Sequence, residues 1–89
     1  MMDDVATIEA RIRKALAPES LIITDDSEAH AGHRGEARGR GHYLLTIVSR
    51  QFEGRTLVAR HQLVYEALGE LMGREIHSIR IEALAPNEL

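Results

Sequence analysis

The run His42-Tyr43-Leu44-Leu45-Thr46-Ile47-Val48-Ser49-Arg50 decides how this chain folds. Its apolar residues fall on both parities. That pattern predicts a strand over residues 42–50 in a central position, with both faces covered at least in part. Downstream, residues 51–55 contain Gly54 and read as a turn, with a short extra turn of helix near Phe52. Thr56 then offers a cap for a helix running through Met72, with Leu57, His61, Val64, Leu68 and Leu71 on one face and Gly73 as its stop. Residues 76–84 read as a last strand, and Pro86 marks a tail over residues 85–89.

Upstream of the central run, Asp3 or Asp4 can cap a helix in which Val5, Ile8, Ile12, Ala15 and Leu16 recur at helical spacing, ended by Pro18. Residues 21–25 form a short strand closing on Asp25-Asp26-Ser27. The element order is therefore α-β-β-α-β. Two strands linked through a helix favour a three-stranded mixed sheet with the helices on one face, a two-layer α+β fold. A single domain over residues 1–89 is expected, because a chain of 89 residues has too little apolar surface for two cores.

Residues 27–41 differ from everything around them. They hold four glycines, His30, His33, Arg34, Arg38 and Arg40, and no large apolar residue. Such a segment has nothing to bury and is expected to be an exposed, flexible loop. Loops of this length inside a small domain are more often functional than filler.

Composition narrows the function classes. Apolar residues make up 44% of the chain, with only Phe52, Tyr43 and Tyr65 as aromatics, so Leu, Ile, Val and Ala must build the core. There is no cysteine, which removes disulfides, thiol nucleophiles and cysteine-based zinc sites. The acidic start, Met1-Met2-Asp3-Asp4, is unlike a secretory signal, and no apolar run approaches the length of a membrane span. A soluble, cytoplasmic protein is the expectation. The net charge of −3 argues mildly against nucleic acid as the main partner. No nucleophile elbow, phosphate-binding loop or carboxylate pair in an apolar setting is present, so a binding module is expected rather than an enzyme.

The five histidines are the residues with most chemistry to offer. His77 lies at the start of the last strand on the parity of Ile79 and Ile81. By spacing alone, a core-edge histidine bonded to backbone is the stronger reading. The alternative is an imidazole aimed rigidly at the surface, as a ligand site needs. His61, among Leu57, Val64 and Leu68, reads as a packing residue, with Arg60 beside it directed to solvent or to an anion. His30 and His33, with His42 as a third, have a spacing that can share a metal. Gly32-His33-Arg34-Gly35 also has the GxxG spacing that grips nucleic-acid backbone in KH domains, but there the loop joins two helices and here it joins two strands.

Taken together, Ile47-Val48-Ser49, Phe52, Gly54, Arg60-His61, Val64-Tyr65, Leu68 and Ile76-His77-Ser78-Ile79 resemble the BolA-like proteins. Asp25-Asp26-Ser27 before a histidine-containing loop and Ala85-Pro86-Asn87-Glu88 at the end fit as well. The resemblance runs from about Ile8 onward and is most specific from Val48 to Leu68. Gln62 departs from the pattern where many members have a second basic residue, and Ser78-Ile79 replaces a commoner Ala-Leu. The loop is longer and richer in Gly and Arg than in many relatives.

The resemblance implies a class II KH-like fold and partnership with a monothiol (CGFS-type) glutaredoxin. It further implies a 2Fe–2S cluster bridging the pair, held jointly with glutathione, in iron–sulfur trafficking or iron homeostasis. The position matching the family's late histidine ligand is His77. The loop ligand falls on His30, with His33 in reserve. The resemblance also implies an alternative role as a DNA-binding transcriptional regulator of stress response or cell morphology, for which Arg34, Arg38, Arg40 and Arg60 are the candidate phosphate contacts.

Overall fold

A computed structural model describes residues 4–26 and 41–89 of the chain. Helix α1 (Asp4–Leu16) carries an acidic residue in its first turn and Arg13 and Lys14 in its last, the charge order that suits the helix dipole. Ile8, Ile12 and Leu16 are its buried stripe, whereas Ala15 is exposed. The helix ends where Ala17 takes a φ of 44°, directly before Pro18. Strand β1 (Ser20–Asp25) follows.

Strand β2 (His42–Val48) is central, as its composition leads one to expect, and the sheet order is β1-β2-β3 with β3 spanning Ser78–Leu84. β1 runs antiparallel to β2 with Ser20 opposite Val48 and Asp25 opposite Tyr43. β3 runs parallel to β2 with His42 opposite Ser78 and Val48 opposite Leu84. The sheet is therefore mixed, with a helical crossover between its parallel strands. Tyr43, Leu45 and Ile47 join Ile8, Ile12, Val64 and Leu68 in one buried cluster around Phe52. Leu44, on the other parity, stays more than a third exposed, so the second face of β2 is covered only in part.

The strand stops two residues short of Arg50. Ser49 turns away to cap a 3-10 turn over Arg50–Phe52, accepting from the Gln51 N–H and donating to the Leu16 carbonyl at 2.7 Å. That turn delivers Phe52, fully buried, into the core.

Helix α2 (Leu57–Leu68) begins at the expected cap, Thr56, whose hydroxyl accepts from the Ala59 N–H. It ends earlier than its hydropathy suggests. Gly69, with a φ of 53°, closes it through an N–H bond to the Tyr65 carbonyl, and a 3-10 turn over Gly69–Leu71 continues the apolar pattern beyond the α-helix. Its buried stripe is also rotated from expectation. Leu57 is 65% exposed, while Arg60, Val64 and Leu68 are buried. His61 is half-buried, in keeping with a partial packing role.

Strand β3 starts two residues later than Ile76. Ile76 is buried in a tight turn, pairing with Met72 and donating its N–H to the Leu71 carbonyl, so His77 is left just outside the strand. Among the described residues, no helix is long and apolar enough to cross a membrane.

Candidate functional site

His77 sits where β3 begins, and its surroundings are backbone. The Gly41 carbonyl accepts from both the His77 N–H at 2.8 Å and the Ser78 N–H at 3.0 Å. Gly41 is buried and stands at the mouth of β2, one residue before the His42–Ser78 pair. Just past the end of β1, the Asp26 N–H bonds the His42 carbonyl at 2.7 Å. Three chain segments are thus bolted together at this corner. The imidazole itself is exposed, although Ile79 and Ile81 on the same parity are half-buried. The packed, core-edge reading that spacing favoured for His77 does not describe its side chain.

The corner is also where residues 27–40 leave and rejoin the described structure, at Asp26 and Gly41. His30, His33, Arg34, Arg38 and Arg40 lie outside the described residues, so the structure places none of them relative to His77. His42 is half-buried beside the corner, and it engages other groups. Among the described residues, no three histidine or carboxylate side chains converge on a common point. The described residues thus offer one exposed histidine on a fixed backbone at this corner, in a chain without cysteine.

The opposite end of β3 is organised differently. Arg60 is 6% exposed, and its guanidinium makes two parallel bonds to the Glu88 carboxylate at 2.7 and 2.6 Å. It donates further to the carbonyls of Ala83 and Arg55. Glu88 in turn accepts from the Ala85 N–H at 2.8 Å, holding the 3-10 turn over Pro86–Glu88 against the helix. These bonds hold the Glu88 carboxyl at about 2, chiefly through the Arg60 hydrogen bonds and then the Ala85 N–H, and they raise Arg60 above its usual value. Arg60 therefore does not point to solvent, and it is withdrawn from the set of phosphate contacts. Its burial is possible because four of its five N–H groups find acceptors, two of them on a carboxylate. Nothing local in the sequence marks Glu88, 28 positions away, as that acceptor.

A third charged feature ties α1 to the end of α2. Arg11 donates to the Leu68 carbonyl at 3.2 Å and pairs with Glu70, whose carboxyl it holds at about 2. Both side chains are more than a third exposed, which makes this a surface clip.

Fold and corner together define a small two-layer α+β module that presents one histidine at the open end of its edge strand. A family model described as BolA-like protein matches residues 12–88. Protein BOLA1, chloroplastic, of Arabidopsis thaliana is 40% identical over 81 residues, which span 88% of this chain and 51% of that protein. The solved structure of BolA1 from Arabidopsis thaliana superimposes with a TM-score of 0.86 at 35% identity, covering 100% of this chain and 98% of that one. The DNA-binding transcriptional regulator BolA of Haemophilus influenzae is 33% identical over 91% of this chain and 76% of its own. The chain belongs to the BolA-like family. It spans only about half of the length of some curated relatives, 51% for the Arabidopsis protein and 57% for the mouse BolA-like protein 1.

Proposed function

We propose that this chain is a binding module that docks a monothiol (CGFS-type) glutaredoxin and co-ligates a 2Fe–2S cluster bridging the two proteins. The observation that carries this reading is the exposed His77 imidazole on a backbone fixed by Gly41. A strand terminus with both flanking N–H groups bonded is a rigid mount, and rigid mounts hold ligands in geometry better than loops do. Membership of the BolA-like family supports the same residue. The chain has no cysteine, so the partner's thiol and glutathione would supply the thiolates, and His30 or His33 would be the second ligand from this chain. Imidazole in place of thiolate on one iron raises a cluster's reduction potential. It also makes binding sensitive to pH, since the ring must be neutral to coordinate.

The test is to mix the protein with a monothiol glutaredoxin, glutathione, iron and sulfide, and to compare the visible circular dichroism with that of glutaredoxin alone. A distinct mixed-complex spectrum is expected. Identical spectra, with no co-elution of the two proteins, would remove the proposal. His30→Ala and His33→Ala, run in parallel, identify the loop ligand.

A second reading, binding to DNA, is favoured by the name of the Haemophilus influenzae relative. Arg60 gives it no support, being held by Glu88. Arg34, Arg38 and Arg40 remain its candidate contacts. It requires binding that weakens steeply with salt and with substitution of those three residues. Absence of a complex at low salt would end it.

A further inference from the structure

The geometry points to Gly41 as the positioning residue for the His77 imidazole, an inference that rests on the proposed role of His77 as a ligand. Gly41 has a φ of 77°, in the region that favours glycine. A Cβ added there would stand 2.8 Å from the Glu75 carbonyl oxygen and 3.0 Å from both the His77 backbone nitrogen and the His77 Cδ2. Two of these three neighbours are backbone, so no change of rotamer relieves them. The third is the imidazole ring.

The missing side chain therefore does two things. It lets the Gly41 carbonyl come close enough to bond the His77 and Ser78 N–H groups together. It also leaves a shallow seat in which the ring edge lies against the main chain. The ring enters that seat through Cδ2, a carbon, so the contact costs neither ring nitrogen its capacity to coordinate. No hydrogen bond to the ring occurs among the described residues, and the main chain at Gly41 crowds the ring from one side. An exposed ligand residue usually depends on a hydrogen-bonded partner for its orientation. Here steric support from a glycine takes that part.

Gly54 supplies a matched control. Its φ is 72°, nearly that of Gly41, yet nothing lies within 4 Å of the position its Cβ would take. Gly54→Ala thus imposes similar backbone strain without touching His77, and it separates positioning from loss of stability.

The experiment uses the full chain, isotopically labelled. In the wild type, nuclear Overhauser contacts between the His77 Hδ2 proton and the Gly41 Hα protons should appear, with side-chain couplings of a single dominant rotamer. In Gly41→Ala the contact and the single-rotamer couplings should be lost, while Gly54→Ala keeps both. When each variant is titrated into monothiol glutaredoxin, glutathione, iron and sulfide, half-formation of the mixed-complex spectrum should need about 10-fold more Gly41→Ala protein, and no more Gly54→Ala. Absence of the Hδ2–Hα contact in the wild type overturns the inference, and this arm stands even when Gly41→Ala fails to fold. So does a Gly41→Ala protein with wild-type couplings and titration. Should His77→Ala titrate like the wild type, the ligand role fails instead, and the resonance measurements alone decide the seat.

Discussion

The two ends of β3 handle a basic side chain in opposite ways. At the far end, Arg60 is enclosed, with four of its five guanidinium N–H groups bonded to Glu88, Ala83 or Arg55. At the near end, the hydrogen bonds His77 makes among the described residues come from its backbone, and the residue is exposed. A buried, paired charge fixes structure and has little to offer a partner. An exposed ring on an immobile mount adds little to stability and has both nitrogens to give. The difference separates a residue that holds the fold from one that the fold holds out.

The comparison breaks most visibly at Arg60. Arg60→Ala strands the Glu88 carboxylate and the Ala83 carbonyl, and it should lower the melting temperature more than any other charge substitution in the chain. At temperatures where the variant is folded, the glutaredoxin-dependent spectrum should be unchanged. Thermal melts followed by far-ultraviolet dichroism, beside cluster reconstitution, check both halves.

Ser49 provides a second probe of the same end. It is fully buried, bonds the Leu16 carbonyl, and its N–H bonds the Leu84 carbonyl at the end of β3. Ser49→Ala leaves the Leu16 carbonyl without its partner and should cost about 1–3 kcal/mol in urea unfolding, again without a change in the spectrum of the complex.

A smaller effect sharpens the contrast through pH. Glu88 is held at about 2 against an ordinary 4.5, so its folded-state pKa is depressed. Its contribution to stability is complete above about pH 4.5 and is lost as pH falls toward 2. Glu88→Gln should lower the melting temperature at neutral pH and flatten the acid limb between those values. Glu70→Gln, at the exposed clip with Arg11, should flatten it less, and its effect should fade in high salt. Melting temperatures from pH 2 to 7 at two ionic strengths distinguish the pairs.

Much of this molecule was legible residue by residue. The run from Tyr43 to Val48, apolar on both parities, declared a central strand, and Thr56 declared the start of α2. Local hydropathy failed where a distant partner changed the meaning of a residue. It put Leu57 in the core and Arg60 in water, because a carboxylate at Glu88 that makes Arg60 fit for burial leaves no trace in the helix itself. It ran α2 on to Met72 because Leu68 and Leu71 keep helical spacing across Gly69, whose backbone turns there.

The site was legible by a different route. Periodicity grouped His77 with Ile79 and Ile81 and so favoured a packed ring; only the family pattern marked it as a ligand. The structure adds the turn through Ile76 that leaves His77 outside the strand, and Gly41, which the sequence shows merely as the last glycine of a loop. Its part depends on a contact across 36 positions of chain, which spacing along the sequence does not reveal. His30 and His33 remain candidates on their spacing and on the resemblance.

The role proposed for the near end of β3 is to present His77 to a shared cluster. The most direct measurement is the visible circular dichroism of cluster reconstituted with a monothiol glutaredoxin, for the wild type, His77→Ala and Arg60→Ala side by side. His77→Ala should melt within about 0.5 kcal/mol of the wild type, as exposed substitutions do, and return the spectrum of glutaredoxin alone. Arg60→Ala should give the wild-type spectrum from a less stable protein. A wild-type spectrum from His77→Ala would contradict the account.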